Sequence, residues 1–392
     1  MSASQHLAVG ARPGESSWAG RADGVRLLSV WTERRPGHGE DAEPLVLHHV
    51  PSGAGLLAVF DGSGGSGAAP AWQGADGRTY TGAWVGARAA RLGTERWFQR
   101  LVEHGEPDTA DRLAEHLRGT LRAAAPPARG KITGSMRRAL PTTLSAVAYR
   151  LGPDRVSWRA LWAGDSRSYA LLPGSGLHAL TRDHTTEDDA LDQLRQDPPM
   201  TNVVCADRDF TVDAQPAYGR REFALPCVLL SGTDGFFGYV HTPALFEYLL
   251  LSTLGRAGDM ADWAARLRTA VQAYTADDAS LGLAALGFPD FRALREAFRE
   301  RYRAVVAAYV ATFPERYAGD REAGRAGAEV PDGGGGFGAG TAGFDALRHW
   351  QEETWRAYRP GYERYMPPLP PVLPAQRPER REVPPAGPEA GA

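Results

Sequence analysis

Of the 44 basic residues in this 392-residue chain, a single one, Lys131, is lysine; the rest are arginines. Cysteine is nearly as scarce. Cys205 and Cys227 are too few for a disulfide framework or a thiolate zinc site, and both are expected to be free, buried or half-buried thiols. A reducing, cytoplasmic setting fits that usage. No run of about 18 apolar residues occurs, so no transmembrane helix is expected. The opening stretch MSASQHLAVGARPGESSW lacks the charged start and apolar core of a secretory signal. A net charge of −3 gives neither the basic excess of a nucleic-acid binder nor the acidity of a solvating chain. What remains, 43% hydrophobic and 23% charged residues, suits a soluble globular protein of one large domain with an appendage, or of two domains.

Residues 1–24 are small and polar and are expected to form a flexible lead-in. From Val25 to about Phe288 short apolar runs alternate with turn signals. Leu56–Phe60 predicts a buried strand ending at Asp61-Gly62. Strands are also predicted at 144–150 and 156–163, and the turn-rich connector Leu151-Gly152-Pro153-Asp154-Arg155 makes them an antiparallel hairpin. Further strands are expected at 169–172, 227–231 and 281–286. Apolar residues at helical spacing predict helices over 83–104, 109–124, 243–254 and 259–274, with Asp108 and Asp259 near helix starts. Helices among hairpin-linked strands predict an α+β fold with a largely antiparallel core. Beyond Phe288 the texture changes. One long amphipathic helix is expected over 290–318, a glycine-rich break over 332–343, and another helix over 344–365. The segment from 366 to 392 is proline-rich and reads as a disordered tail. The expected division is therefore 1–24, 25–288, 289–365 and 366–392.

Four acidic patches sit beside strand ends or turns: Glu40-Asp41, Asp61, Asp234 and Asp277-Asp278. Carboxylates at strand ends are held rigidly and can converge, and a convergent set repels itself unless a cation neutralises it. Oxygen ligands favour hard cations such as Mg²⁺ or Mn²⁺. Taken singly, each Asp-Gly pair is also what a turn requires. Gly62 to Gly67 is glycine-rich, yet no Gly-Lys-Ser/Thr follows, which argues against a nucleotide-binding loop. His48-His49 lacks metalloprotease spacing, and Asp183-His184 reads as a pair making structural hydrogen bonds.

In their order these segments resemble the metal-dependent serine/threonine phosphatases of the type 2C class, in particular bacterial-type members. Phe60-Asp61-Gly62-Ser63-Gly64-Gly65 is similar to the aspartate-glycine signature of that family. Gly39-Glu40-Asp41-Ala42, Pro141-Thr142-Thr143, Gly164-Asp165-Ser166-Arg167, Thr181-Arg182-Asp183-His184, Gly232-Thr233-Asp234-Gly235 and Asp277-Asp278 resemble its other motifs. The resemblance spans about 25–288. It implies a four-layer α-β-β-α sandwich with two central, mainly antiparallel sheets. It also implies two divalent cations, Mn²⁺ or Mg²⁺, bridged by Asp61, with ligands from the Gly62 carbonyl, Asp234 and Asp277. Glu40 and Asp41 would hold the water around them, Asp165 would help bind a third, weaker metal, and Arg35 would bind phosphate. The implied reaction is hydrolysis of phosphoserine and phosphothreonine by in-line attack of a metal-bridging hydroxide. The implied partners are phosphorylated proteins, such as a Ser/Thr kinase or its targets.

Several positions depart from the family pattern. Ser63 stands where many members have a proposed general-acid histidine. Pro36 stands at the usual position of the phosphate-binding arginine, Gly238 where a further aspartate is common, and Asp278 where asparagine is usual. These departures motivate a second reading, a catalytically weak phosphatase-fold protein that binds phosphoproteins or another partner.

Overall fold

In the computed structural model the described residues are 7–8, 15–22, 24–75, 77–125, 138–314 and 341–369. In chain order the strands are β1 (Leu7–Ala8), β2 (Ser17–Ala22), β3 (Val25–Thr32), β4 (Ala42–His49), β5 (Ala54–Phe60), β6 (Pro70–Gln73), β7 (Thr79–Thr81), β8 (Leu144–Leu151), β9 (Arg155–Ala163), β10 (Arg167–Leu172), β11 (Gly176–Ala179), β12 (Asp213–Gln215), β13 (Arg221–Ala224), β14 (Cys227–Gly232) and β15 (Ala279–Leu286). They build two large sheets. One runs β1-β4-β5-β8-β9-β12, with β13 also on β9; the other runs β11-β10-β14-β15-β3-β2. Every recorded pairing is antiparallel. The β8–β9 hairpin pairs Leu144 with Ala163 and Leu151 with Val156 around the expected turn.

The strands read as unbroken apolar runs because both faces of each sheet are covered. In β14, Cys227 and Leu229 face the opposite sheet while Val228 and Leu230 face helices; in β5, Leu57 faces inward and Leu56, Ala58 and Phe60 face outward. The inter-sheet core holds Val46, Leu57, Val147, Trp158, Leu229 and Leu286. Outside the first sheet lie α2 (Gly82–His104) and α3 (Ala110–Ala124), which bury Trp97, Phe98 and Leu117; a one-turn α1 (Gly64–Gly67) precedes them. Outside the second lie α6 (Pro243–Arg256) and α7 (Met260–Tyr274), while α4 (Ala190–Gln196) and α5 (Asp234–Phe237) are short and sit near the strand ends. The result is the expected four-layer α-β-β-α sandwich of the α+β class. Asp259 caps α7 through the Asp262 amide, whereas the cap of α3 is Thr109 rather than Asp108.

Two findings differ from the sequence reading. Ser17–Ala22, within the expected lead-in, pairs along β3 as an edge strand. The stretch read as one helix over 290–318 is broken into α8 (Phe291–Ala297), α9 (Arg299–Val305) and a π-turn at Val306–Val310. Phe298 interrupts it, because its side chain is drawn into the core against Phe288. The C-terminal helix α10 (Thr341–Tyr362) packs on the rest of the fold: Trp350, Trp355, Tyr358 and Tyr362 are buried in the same core as β14 and α6. The glycine-rich 332–340 and the tail from 370 lie outside the described residues.

Candidate active site

Antiparallel pairing brings the loop-bearing ends of alternate strands to one end of the sandwich. Ala42 at the start of β4 pairs with Phe60 at the end of β5. Gly232 at the end of β14 pairs with Arg167 at the start of β10 and with Leu281 near the start of β15. The residues just beyond these ends are Asp41, Asp61, Asp165, Asp234 and Asp277, and they share one electrostatic cluster. Asp61 is fixed by its backbone. Its carbonyl accepts the Thr142 hydroxyl (2.7 Å) and the Thr143 amide (2.8 Å), and its amide donates to Thr143 Oγ1 (3.2 Å). Its carboxyl is in hydrogen-bond contact with that of Asp234. Two carboxyls can stay in such contact only by sharing a proton or a cation.

Burial, then the neighbouring acids, push every member upward. Asp61, Asp41 and Asp165 are held well above the ordinary carboxylate range. Asp234 is raised to about 6 by burial and then by Asp277. Asp277 and Glu40 are raised as well, chiefly by burial. Asp41 is the most enclosed; its Oδ2 accepts the hydroxyls of Thr233 (3.0 Å) and Ser280 (2.9 Å). Glu40 Oε1 accepts the Thr81 hydroxyl at 2.5 Å, the same group that caps α2 through the Trp84 amide. Asp278 works on the loop instead, accepting the amides of Arg34 (2.8 Å) and Glu40 (2.6 Å). Gly62 lies in an isolated bridge with Thr142.

Asp165, Asp234 and Asp277 open into a cavity of about 400 Å³, which Arg167, Asp183 and Asp197 also line. Asp165 Oδ1 is buried without a hydrogen-bond partner, and no arginine forms an ion pair with Asp61 or Asp234 among the described residues. An orphaned oxygen, a carboxyl–carboxyl contact and an all-oxygen donor set fit a hard divalent cation. Among the described residues no group of three or more His, Cys, Asp or Glu side chains is placed to hold a metal ion by itself. Backbone and water oxygens would have to complete the shell, as Mg²⁺ sites commonly require.

The sequence reading missed two groups. Asp197 raises the proton affinity of both Asp234 and Asp277. It sits at the C-cap of α4 with φ 44°, and so brings a carboxylate to the cavity where Gly238 offers none. Arg34 rather than Arg35 is the arginine whose charge acts on Asp277 and Tyr239. Ser63 Oγ is buried without a partner. Asp183 and His184 both make hydrogen bonds within the fold. Asp183 receives Arg167 Nε (2.9 Å) and Nη2 (2.7 Å), and His184 Nδ1 accepts the Gly164 amide (3.2 Å) while Nε2 faces Asp213 (3.1 Å).

Gly235 sets the spacing of two of these acids. A Cβ there would lie 1.9 Å from the Asp278 carbonyl oxygen and 2.8 Å from the Ala279 Cβ. Gly235→Ala is therefore expected to force the start of α5 off β15 and to cost roughly 1–3 kcal/mol of stability. A urea titration checks this: the midpoint falls while the slope is unchanged.

No protein-family model matches the chain, and no curated protein matches it. Solved structures do. The chain is similar to bacterial serine/threonine phosphatases. The Mycobacterium tuberculosis phosphatase PstP/Ppp is 15% identical, with 67% of this chain and 98% of that one covered and a TM-score of 0.43. The PstP catalytic domain in complex with two manganese ions is 18% identical, with the same coverages and a TM-score of 0.42. Stp1 from Staphylococcus aureus is 17% identical, with 66% and 94% covered and a TM-score of 0.44. At such identities and scores these likenesses decide nothing about activity, and the functional reading stands on the site itself.

Proposed function

We infer that the chain is a metal-dependent phosphatase of the type 2C class, acting on phosphoserine and phosphothreonine in proteins. The observation that carries the reading is the carboxyl cluster at one end of the sandwich, brought together from separate strand ends and repelling itself. Asp61, Asp234, Asp277 and the Gly62 carbonyl would hold two divalent cations, Mn²⁺ or Mg²⁺. Asp165, helped by Asp197, would serve a third and weaker one. Bound there, the cations supply Lewis acidity that neutralises phosphoryl charge and activates water.

The chain's own groups do the rest. Thr233 and Ser280 keep Asp41 aimed inward as an acceptor for water, and Thr81 does the same for Glu40. Arg34, whose charge acts on Asp277, suits a phosphoryl oxygen better than Arg35. Ser63 offers no titratable proton to the leaving alkoxide, so that proton must come from water. Phosphorylated proteins, including a Ser/Thr kinase or its targets, are the proposed partners, and no helix among the described residues is long and apolar enough to cross a membrane. The second reading, a catalytically weak phosphatase-fold protein that binds phosphoproteins, draws on Ser63 and Gly238. It predicts metal binding without turnover.

Metal binding should depend on pH in a defined direction. A folded pKa above the unfolded one means that the folded chain binds more protons. This contribution to metal-free stability is full below about pH 4 and drains as pH rises through about 6. Divalent cations compete with those protons. Mn²⁺ at a hundred times its dissociation constant stabilises by about 2.7 kcal/mol. The rise in Tm is expected to be larger at about pH 7.5 than at about pH 5. Equal shifts at both values, or none, would contradict the cluster as the metal site.

A further inference from the structure

The C-terminal helix α10 reaches the wall of the candidate active site at Asp189, Arg195 and Arg167. Asp189 caps α4 with Oδ1, which accepts the amides of Leu191 (2.9 Å) and Asp192 (3.3 Å). Its Oδ2 points the other way, accepting Trp355 Nε1 at 3.1 Å and Arg359 Nη1 at 2.6 Å. Arg195, at the other end of α4, donates to Gln351 Oε1 at 3.0 Å. α4 is thus held by α10 and also lines the cavity, through Gln193, Leu194, Arg195 and Gln196.

The path continues to the acids. Gln193 Oε1 accepts Arg167 Nη2 at 2.6 Å, and Arg167 holds Asp183 through two donors. Arg167 is also the guanidinium that acts on Asp165 and that donates to the Tyr362 hydroxyl at 3.4 Å. The α4 wall itself is thinly held. It has seven helical residues, and apart from Ala190 and Leu191 its side chains are only partly buried or exposed. An element with so few buried contacts opens locally at low cost.

We propose that Trp355 and Arg359 are positioning residues: by tethering Asp189 they hold the 183–198 wall against the carboxyl cluster, so that α10 governs how a phosphoprotein segment is seated there. This rests on the phosphatase reading for its substrate but not for its geometry. The wall flanks the cluster without supplying its bridging acid, so it meets the peptide around the phosphate more than the phosphate itself. Loosening it should weaken a phosphopeptide and spare a small ester.

The test uses the full chain carrying Trp355→Phe and Arg359→Met, which keep an aromatic ring and an unbranched stem in place while removing both donors. Hydrogen exchange is expected to quicken at least about tenfold at amides 186–197, with β14 and β15 unaffected. With Mn²⁺, KM for a phosphothreonine peptide should rise about tenfold, while kcat/KM for a small aryl phosphate stays within about twofold. Arg359→Lys, which keeps a charged donor, should restore much of the peptide KM. Unchanged exchange at 186–197 overturns the tether whatever the kinetics do. Faster exchange with an unchanged peptide KM overturns the positioning role, as does an equal loss on both substrates. A wild-type chain without metal-dependent hydrolysis would instead overturn the phosphatase reading, and the exchange result separates the two.

Discussion

Asp61→Asn is expected to abolish metal-dependent hydrolysis and, at the same time, to stabilise the metal-free protein. The two effects have one cause. Asp61 touches Asp234 and is repelled by Asp41, Asp165 and Asp277. Without a cation its charge works against the fold; with cations bound, the proposed function would make it a ligand to them. Replacing it by the isosteric amide removes that repulsion, and an increase of roughly 1–3 kcal/mol in metal-free stability is expected. Hydrolysis of a chromogenic phosphate ester in Mn²⁺ should fall by roughly 10³-fold, the scale at which losing a group that stabilises transition-state charge is felt. Denaturant melts in chelator and initial rates in Mn²⁺ check the two halves separately. A variant that loses activity and stability together would point to a structural aspartate instead.

Cutting the chain at residue 289 should prevent it from folding. Such a truncation removes Phe298, Val305, Trp350, Trp355, Tyr358 and Tyr362 from one core. At roughly 1.5–3 kcal/mol for each large side chain, their sum matches or exceeds the roughly 5–15 kcal/mol that stabilises a whole domain. It also strands a charge. Glu247 is fully buried on α6, where its Oε1 accepts Arg301 Nε (2.6 Å) and its Oε2 accepts Arg301 Nη2 (2.8 Å) and the Tyr358 hydroxyl (2.6 Å). Both donors come from beyond residue 289. The point variant isolates this effect: Arg301→Met should cost about 3–5 kcal/mol by leaving the carboxylate unpaired. Adding Glu247→Gln should recover much of that loss, because the buried charge is then gone. The C-terminal helices are part of the domain on this account, and a stable, soluble fragment ending at 289 would refute it.

Reading the sequence succeeded where the physics is local. Apolar runs such as Leu56–Phe60 and Cys227–Ser231 are buried on both faces, so their strands announce themselves, and the acids immediately after them inherit fixed positions. It fell short where position depends on contacts far along the chain. Asp197 sits in a loop cap with no periodicity, and only the fold carries it to Asp234. Arg34 and Arg35 are adjacent and chemically identical; the amide of Arg34 on Asp278 is what sets the register of that loop. Trp350, Trp355 and Tyr358 suggested an amphipathic helix but not the surface it covers. Its tether joins residues 166 and 170 positions apart, beyond the reach of any local pattern.

The central claim is that the acids at the strand ends form a two-cation site bridged by Asp61. Anomalous diffraction from crystals grown with Mn²⁺ tests it most directly. The account predicts two manganese peaks, one on either side of the Asp61 carboxylate, with Asp234 and Asp277 beside one of them. Crystals that carry no manganese within the cluster, at concentrations that fill ordinary Mn²⁺ enzymes, would contradict it.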